Sequence, residues 1–262
     1  MSRFARRAVD KGMIVDSYAH VSCRKYRPVE PLLEEMRGAG VDAAVLVQPL
    51  GDYDNGYLEE ALARHPGRFQ AVGLADRGLA NLPARVGALL QGGISGLRAT
   101  PDFLKADGAV EALAAADGVL LTHLPDGIGV HAAELASIAA RFPKLRIFIP
   151  HLGWPQVNGK ATPGWKEGVA ALSTYPSISA GISALYYYSQ QPAPHKDTWP
   201  WIEFLLQTFG PERCMCGSDF PLLLDTGSYG DYSALLFNDS VGVSAAARDM
   251  VLGGTAMKFW RF

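Results

Sequence analysis

Three histidines and one aspartate carry the chemistry this sequence offers: His20, His123, His151 and Asp219. Each closes a short apolar run that breaks off at a polar or turn-forming residue: IVDSYAH, VLLTH, IFIPH and CMCGSD. Imidazole donates, accepts or relays a proton near neutral pH, and its neutral form binds metals. A carboxylate within reach of a water can act as general base. One such histidine would be read as packing or surface. Three at equivalent points of separate strand-like runs are harder to explain by packing alone. Arg98 closes a further run, GISGLR, and a guanidinium fork suits a substrate carboxylate. His65 before Pro66 and His131 at the start of a helical pattern read as structural.

The elements that must position these groups follow from periodicity. Short apolar runs alternate with helical patterns from end to end. Strands are expected at Met13–Val15 leading into Asp16, then at 43–47, 69–74, 94–97, 119–122, 145–149, 178–182 and 213–216. A helix or long loop follows each. Strands alternating with helices imply parallel pairing through crossovers. Eight units in 262 residues favour a closed (β/α)8 TIM barrel, read as one domain over residues 1–262. In that fold the C-terminal strand ends converge on one pocket, so the four groups meet through topology. The irregular stretch Ser183 to Pro200, with Tyr186, Tyr187, Tyr188 and His195, falls on the same face. It suits a lid or substrate wall, and equally an oligomer contact.

Bulk properties exclude several classes. A formal net charge of -2 provides no basic field for nucleic acid. No run approaches the roughly 18 apolar residues of a membrane span. Three cysteines, Cys23, Cys214 and Cys216, make no disulfide framework and fit a reducing cytoplasm. The basic opening MSRFARRAVDKG lacks the apolar core of a signal peptide and reads as a tail before the first strand. No glycine-rich nucleotide loop follows the first strand. The expected partner is a small molecule, and a homo-oligomer is compatible with the composition.

Taken together, IVDSYAHV, QPLGDYDNGYL, HPGRFQAVGLAD, GISGLRAT, IFIPHLGWP, CMCGSDFP and GGTAMKFW resemble the amidohydrolase superfamily, in its amidohydrolase-related branch. That branch includes 2-pyrone-4,6-dicarboxylate lactonase and sugar lactonases. The resemblance covers nearly the whole chain and implies a metal-dependent-hydrolase type of barrel. It implies opening of a lactone or related ester, carboxylated or not, by water attack assisted by Asp219. His20, His123 and His151 would complete the catalytic set. Tyr18, Asn55, Arg98, Trp154 and Tyr187 would bind substrate or shape the pocket wall.

One position departs from the pattern. The branch has two histidines two residues apart in its first strand; here the first is Tyr18. A phenol with a pKa near 10 is a poor divalent-metal ligand at neutral pH. His20, His123, His151 and Asp219 could still hold one zinc or manganese ion, since catalytic zinc often uses three protein ligands. A site without metal is the preferred expectation. The rival readings are a metal-dependent nonoxidative decarboxylase of the same superfamily and a catalytically degenerate, ligand-binding barrel.

Overall fold

The computed structural model describes residues 12–232 and 243–262. The expected N-terminal tail lies outside the described residues. Eight strands form one sheet: β1 (Val15–Ala19), β2 (Ala43–Val47), β3 (Phe69–Gly73), β4 (Gly96–Ala99), β5 (Val119–Thr122), β6 (Arg146–Ile149), β7 (Ile178–Ile182) and β8 (Cys214–Cys216). Their spatial order follows chain order, and every neighbouring pair is parallel. Helices on the outside connect them, as the (β/α)8 expectation requires. A small hairpin, Gln156–Val157 with Lys160–Ala161, sits in the connection after β6.

The strands are short and apolar because both faces are covered; β2, AAVLV, is buried at every position. Inward-facing side chains fill the barrel: Val15, Val45, Val72, Val119, Leu121, Phe148 and Met215 pack in one cluster. Trp260, on the closing helix Thr255–Trp260, seals the N-terminal end against Phe148, with ring centroids 5.7 Å apart. A second cluster fills the ring between strands and helices. Helix α1 (Val29–Ala39) contributes Val29, Leu32 and Met36, one helical stripe, and Gly40 ends it at φ 69°.

Two strands are shifted by two residues or more from the periodicity: β4, expected at 94–97, runs over Gly96–Ala99, and β1 runs later than expected. The first strand continues past Val15 through Asp16, Ser17 and Tyr18, all fully buried. Asp16 is tolerated there because its carboxyl is saturated with donors, while the Ser17 hydroxyl is buried without a partner. Near the C-terminus the chain is α-helical over Ala245–Asp249, then widens into a π-turn over Met250–Gly254. That turn presses against the start of β1. A Cβ on Gly253 would fall 1.7 Å from the Met13 carbonyl oxygen, so only glycine fits.

Barrel closure between β8 and β1 depends on few groups. Beyond the end of β8, Asp219 N–H donates to the Tyr18 carbonyl at 2.8 Å, and His20 N–H donates to the Phe220 carbonyl at 2.7 Å. Asp16 backs these bonds. Its carboxyl accepts from Ser218 N–H at 2.8 Å, Tyr229 OH at 2.8 Å and Tyr18 N–H at 3.1 Å, and from the Ser218 hydroxyl. Burial still raises its pKa to about 6, against the pull of these bonds. Replacing Asp16 by alanine strands several buried donors at once, at an expected cost of about 3 kcal/mol. Urea unfolding of Asp16→Ala measures this; a wild-type midpoint would remove Asp16 from the account of closure.

Candidate active site

The side chains named from the sequence meet at the C-terminal end of the barrel. His20, Arg98, His123, His151, Trp154, Tyr187 and Asp219 all line one cavity of about 250 Å³. Tyr26, Leu50, Ala184, Tyr186, Tyr188 and Leu222 complete it.

The hydrogen bonds assign the imidazole nitrogens. His20 Nδ1 lies 2.6 Å from the Val47 carbonyl, which can only accept, so Nδ1 carries the proton and Nε2 presents a lone pair. That Nε2 is 3.5 Å from Asp219 Oδ1. Arg98 Nη2 lies 3.2 Å from His123 Nδ1. A guanidinium can only donate, so His123 keeps its proton on Nε2. His151 Nδ1 is 2.9 Å from Ser183 Oγ, which also accepts the His151 backbone N–H at 2.9 Å. Ser183 thus fixes both backbone and ring of His151.

Burial keeps all three imidazoles neutral. His20 and His123 are each pushed down to about 3 by burial and then by the Arg98 charge, and His151 is lowered by the same causes. Asp219 moves the other way. Burial raises it to about 7, although Tyr186 OH donates to Oδ2 at 2.7 Å and Arg98 attracts the charged form. A carboxyl poised near neutrality beside neutral imidazoles suits proton transfer.

Arg98 is 5% exposed and spends Nη1 on the Gln48 carbonyl at 3.2 Å. Its Nε–H is buried without a partner. Among the described residues the site therefore offers a nearly buried guanidinium with no carboxylate in ion-pair contact, a configuration that costs free energy unless an anion or developing oxyanion arrives.

The backbone is strained where these groups sit. Non-glycine residues with positive φ include His151 at 55°, Trp154 at 60°, Ala184 at 54° and Asp219 at 61°, all of which line the cavity. The turn after β6 swings Trp154 edge-on to His123 and His151, with centroids 5.7 and 5.3 Å away.

The family model described as amidohydrolase (Amidohydro_2) matches residues 18–262. The chain belongs to this amidohydrolase family. It is 29% identical over 258 residues to an L-fucono-1,5-lactonase of Burkholderia ambifaria, covering 89% of this chain and 83% of that protein. An amidohydrolase of Burkholderia multivorans, crystallised with bound HEPES, superposes with TM-score 0.79 at 21% identity, over 95% of this chain and 99% of the other. That Burkholderia multivorans protein has also been crystallised with zinc bound, and this form superposes with the same TM-score of 0.79. A Pseudomonas putida protein described as a candidate 2-pyrone-4,6-dicarboxylic acid hydrolase gives TM-score 0.77 at 24% identity, over 95% and 97% of the two chains. These likenesses agree with the barrel read from the sequence.

Within the family frame, two named residues take places the sequence did not indicate. Asn55 does not line the catalytic cavity. Its amide is committed to backbone: Nδ2 donates to Tyr53 O and Leu74 O at 3.0 and 2.9 Å, and Oδ1 accepts from Leu74 N–H at 2.8 Å. Tyr18 shares a face with His20, as spacing requires, but is fully buried, with no hydrogen-bond partner for its hydroxyl. Its ring packs edge-on against His20 and His151, at 5.1 and 4.4 Å, behind the cavity wall. Gly217 backs it, since a Cβ there would come within 2.7 Å of Tyr18 Cβ. His195, from the irregular stretch, bonds Gln191 O through Nδ1 at 3.0 Å and stands outside the catalytic cavity.

Two contributors, Ser183 and Tyr26, escaped sequence reasoning, and a third, Tyr186, was expected only as part of the wall. Tyr186, not the 46%-exposed Tyr187, holds the carboxylate. Ser183, directly after β7, was detectable by its position at a strand end. Tyr26 stacks on His20 at 5.0 Å from a loop with no pattern to reveal it. Because the Tyr186 hydrogen bond holds Asp219 down, Tyr186→Phe should raise the Asp219 pKa further above about 7. Carbon-13 NMR titration of labelled aspartate reads this; an unmoved titration would mean the bond does not reach the carboxyl in solution.

Proposed function

We propose that this amidohydrolase opens a lactone or related ester, with Asp219 as general base and without a divalent metal. The observation that carries the reading is the Asp219 carboxyl, raised to about 7 and held at Oδ2 by Tyr186, with Oδ1 facing the His20 Nε2 lone pair at 3.5 Å. Two acceptors at that separation can each take one hydrogen of a single water. The water's lone pair then faces the cavity. Asp219 removes the proton as the oxygen adds to the carbonyl carbon. The developing oxyanion is met by donors already in place, the Arg98 guanidinium and His123 Nε2–H. When the ring C–O bond breaks, the protonated Asp219 returns its proton to the departing alkoxide, leaving a hydroxy acid. The unpaired Arg98 charge also suits a carboxylated substrate.

The donor set argues against a metal. Tyr18 stands where a second first-strand imidazole would be needed, and burial keeps its phenol protonated, well above its ordinary range. His123 Nδ1 is taken by Arg98, whose guanidinium carbon is 6.0 Å from the Tyr18 ring and whose charge would oppose a dication. Among the described residues, no group of three or more His, Cys, Asp or Glu side chains is arranged to hold an ion. The family resemblance and the zinc-bound relative favour the opposite assignment, and elemental analysis decides it. Protein dialysed against chelator and then repurified from zinc- and manganese-supplemented medium should carry far less than one metal per chain. Stoichiometric metal would overturn the proposal.

Asp219→Asn should lower lactone hydrolysis by about 10²- to 10⁴-fold, the usual worth of a general base. Retention of near wild-type rates would remove Asp219 from that role. The base must be ionised, so kcat/KM should rise with pH up to about 7 and level off above it, after correction for spontaneous ring opening. Release of carbon dioxide in place of acid would select the decarboxylase reading. Acting on a small molecule in a reducing cytoplasm fits Cys23, Cys214 and Cys216, all of which are free thiols, and no helix among the described residues is long and apolar enough to cross a membrane.

A further inference from the structure

A second cavity opens beside the first on the same face of the barrel. It measures about 570 Å³ and is walled by the loops after β2, β3 and β4. Leu50 and Arg98 line both cavities, so the two lie side by side and share these residues as a common wall. The catalytic cavity, at about 250 Å³, is smaller than the roughly 300–1,000 Å³ typical of ligand sites, while the two together fall within that range.

The walls of the second cavity are held by buried amides. Asn55, 1% exposed, ties the Tyr53 carbonyl to both backbone groups of Leu74, and Tyr53 and Leu74 stand on opposite loops of the cavity. Gln48, 3% exposed, donates to the carbonyls of Asp52 and Asp54 at 2.9 Å each, while its own carbonyl accepts from Arg98. The Tyr53 loop is thus fixed to Arg98, the residue that borders both cavities. This is the use to which Asn55 is put, and the catalytic cavity alone gives no reason for it.

The chemistry of the walls selects the occupant. Tyr53 presents a 47%-exposed ring, Phe103 and Leu74 supply apolar surface, and Asp76, Arg77, Thr100 and Asp102 supply hydrogen-bonding groups. Beyond Arg98 the wall carries two carboxylates and one guanidinium, Arg77, which lies 3.7 Å from Asp102. With Arg98 the charges of this wall balance, so it offers no net charge that would select an anionic arm. A neutral, hydroxyl-rich ring meets acceptors, donors and an aromatic face together. We propose that this cavity is a subsite for a second sugar ring, so that the substrate is a glycosylated aldonolactone whose lactone ring lies at Asp219. The inference rests on the lactonase reading for the position of the reacting ring.

The test compares the lactones of gluconic acid and cellobionic acid, which carry one and two rings. Wild-type kcat/KM should favour the two-ring lactone by about tenfold or more, and Tyr53→Ala should reduce that ratio by about tenfold, the scale of one aromatic contact. Arg77→Ala provides a second variant should Tyr53→Ala fold poorly, and it should lower the same ratio. A wild-type ratio at or below one, or a ratio that neither variant changes, would overturn the subsite. If neither lactone is opened, the lactonase reading fails, and titration calorimetry with cellobionate and gluconate judges the subsite separately. Tighter binding of cellobionate, lost in Tyr53→Ala, supports it; equal or absent binding of the two rejects it.

Discussion

The buried Asp16 carboxyl is the constraint on which the rest of this structure depends. A (β/α)8 sheet must meet itself once, and here it does so through two backbone bonds, from Asp219 to Tyr18 and from His20 to Phe220. Asp16 holds the Ser218 side of that junction and, through Tyr229, the segment that follows. The same atoms therefore close the sheet and set the spacing between the Asp219 carboxyl and the His20 imidazole. A slip in the junction would move Asp219 relative to His20 Nε2, and a shift of that kind is what catalytic geometry tolerates least.

Electrostatics then follow from burial more than from pairing. The three imidazoles are held neutral because burial, partial for His123, and the Arg98 charge both disfavour the cation, and the Asp219 carboxyl rises because it is buried. One cation is left, and it is not neutralised by a neighbouring carboxylate among the described residues. The Asp219 cavity is thus a weakly basic carboxyl, a set of neutral donors and acceptors, and one fixed positive charge. Such a set can stabilise a charge that develops during reaction without first being neutralised by the protein itself.

Much of this was legible in the sequence, for identifiable reasons. The strand runs were visible because both faces of each strand are buried, and the site residues were visible because the barrel brings strand ends together. That rule placed His20, Arg98, His123, His151 and Asp219 together, and they line one cavity. Asn55 was misplaced because its spacing in the loop says nothing of which backbone groups its amide will meet. Tyr186 and Tyr187 are adjacent, and only the short helix Leu185–Tyr188 decides which of them faces the carboxylate. Tyr18 was correctly set beside His20, but the irregular pairing of β1 with β2 between Asp16 and Ala19 places it behind the wall, and no pattern of polar and apolar residues encodes that.

The left-handed backbone at His151 and Asp219 has a consequence for anyone who would redesign this chain. Glycine is the residue that such φ values favour, so a procedure that ranks sequences by folding free energy would replace the imidazole and the carboxylate first. The native protein stands off that optimum by choice of side chain, and part of its marginal stability is the accumulated strain of a few cavity residues. Heat-resistant variants should accordingly be sought in the outer helices and the N-terminal seal around Trp260, where nothing reacts.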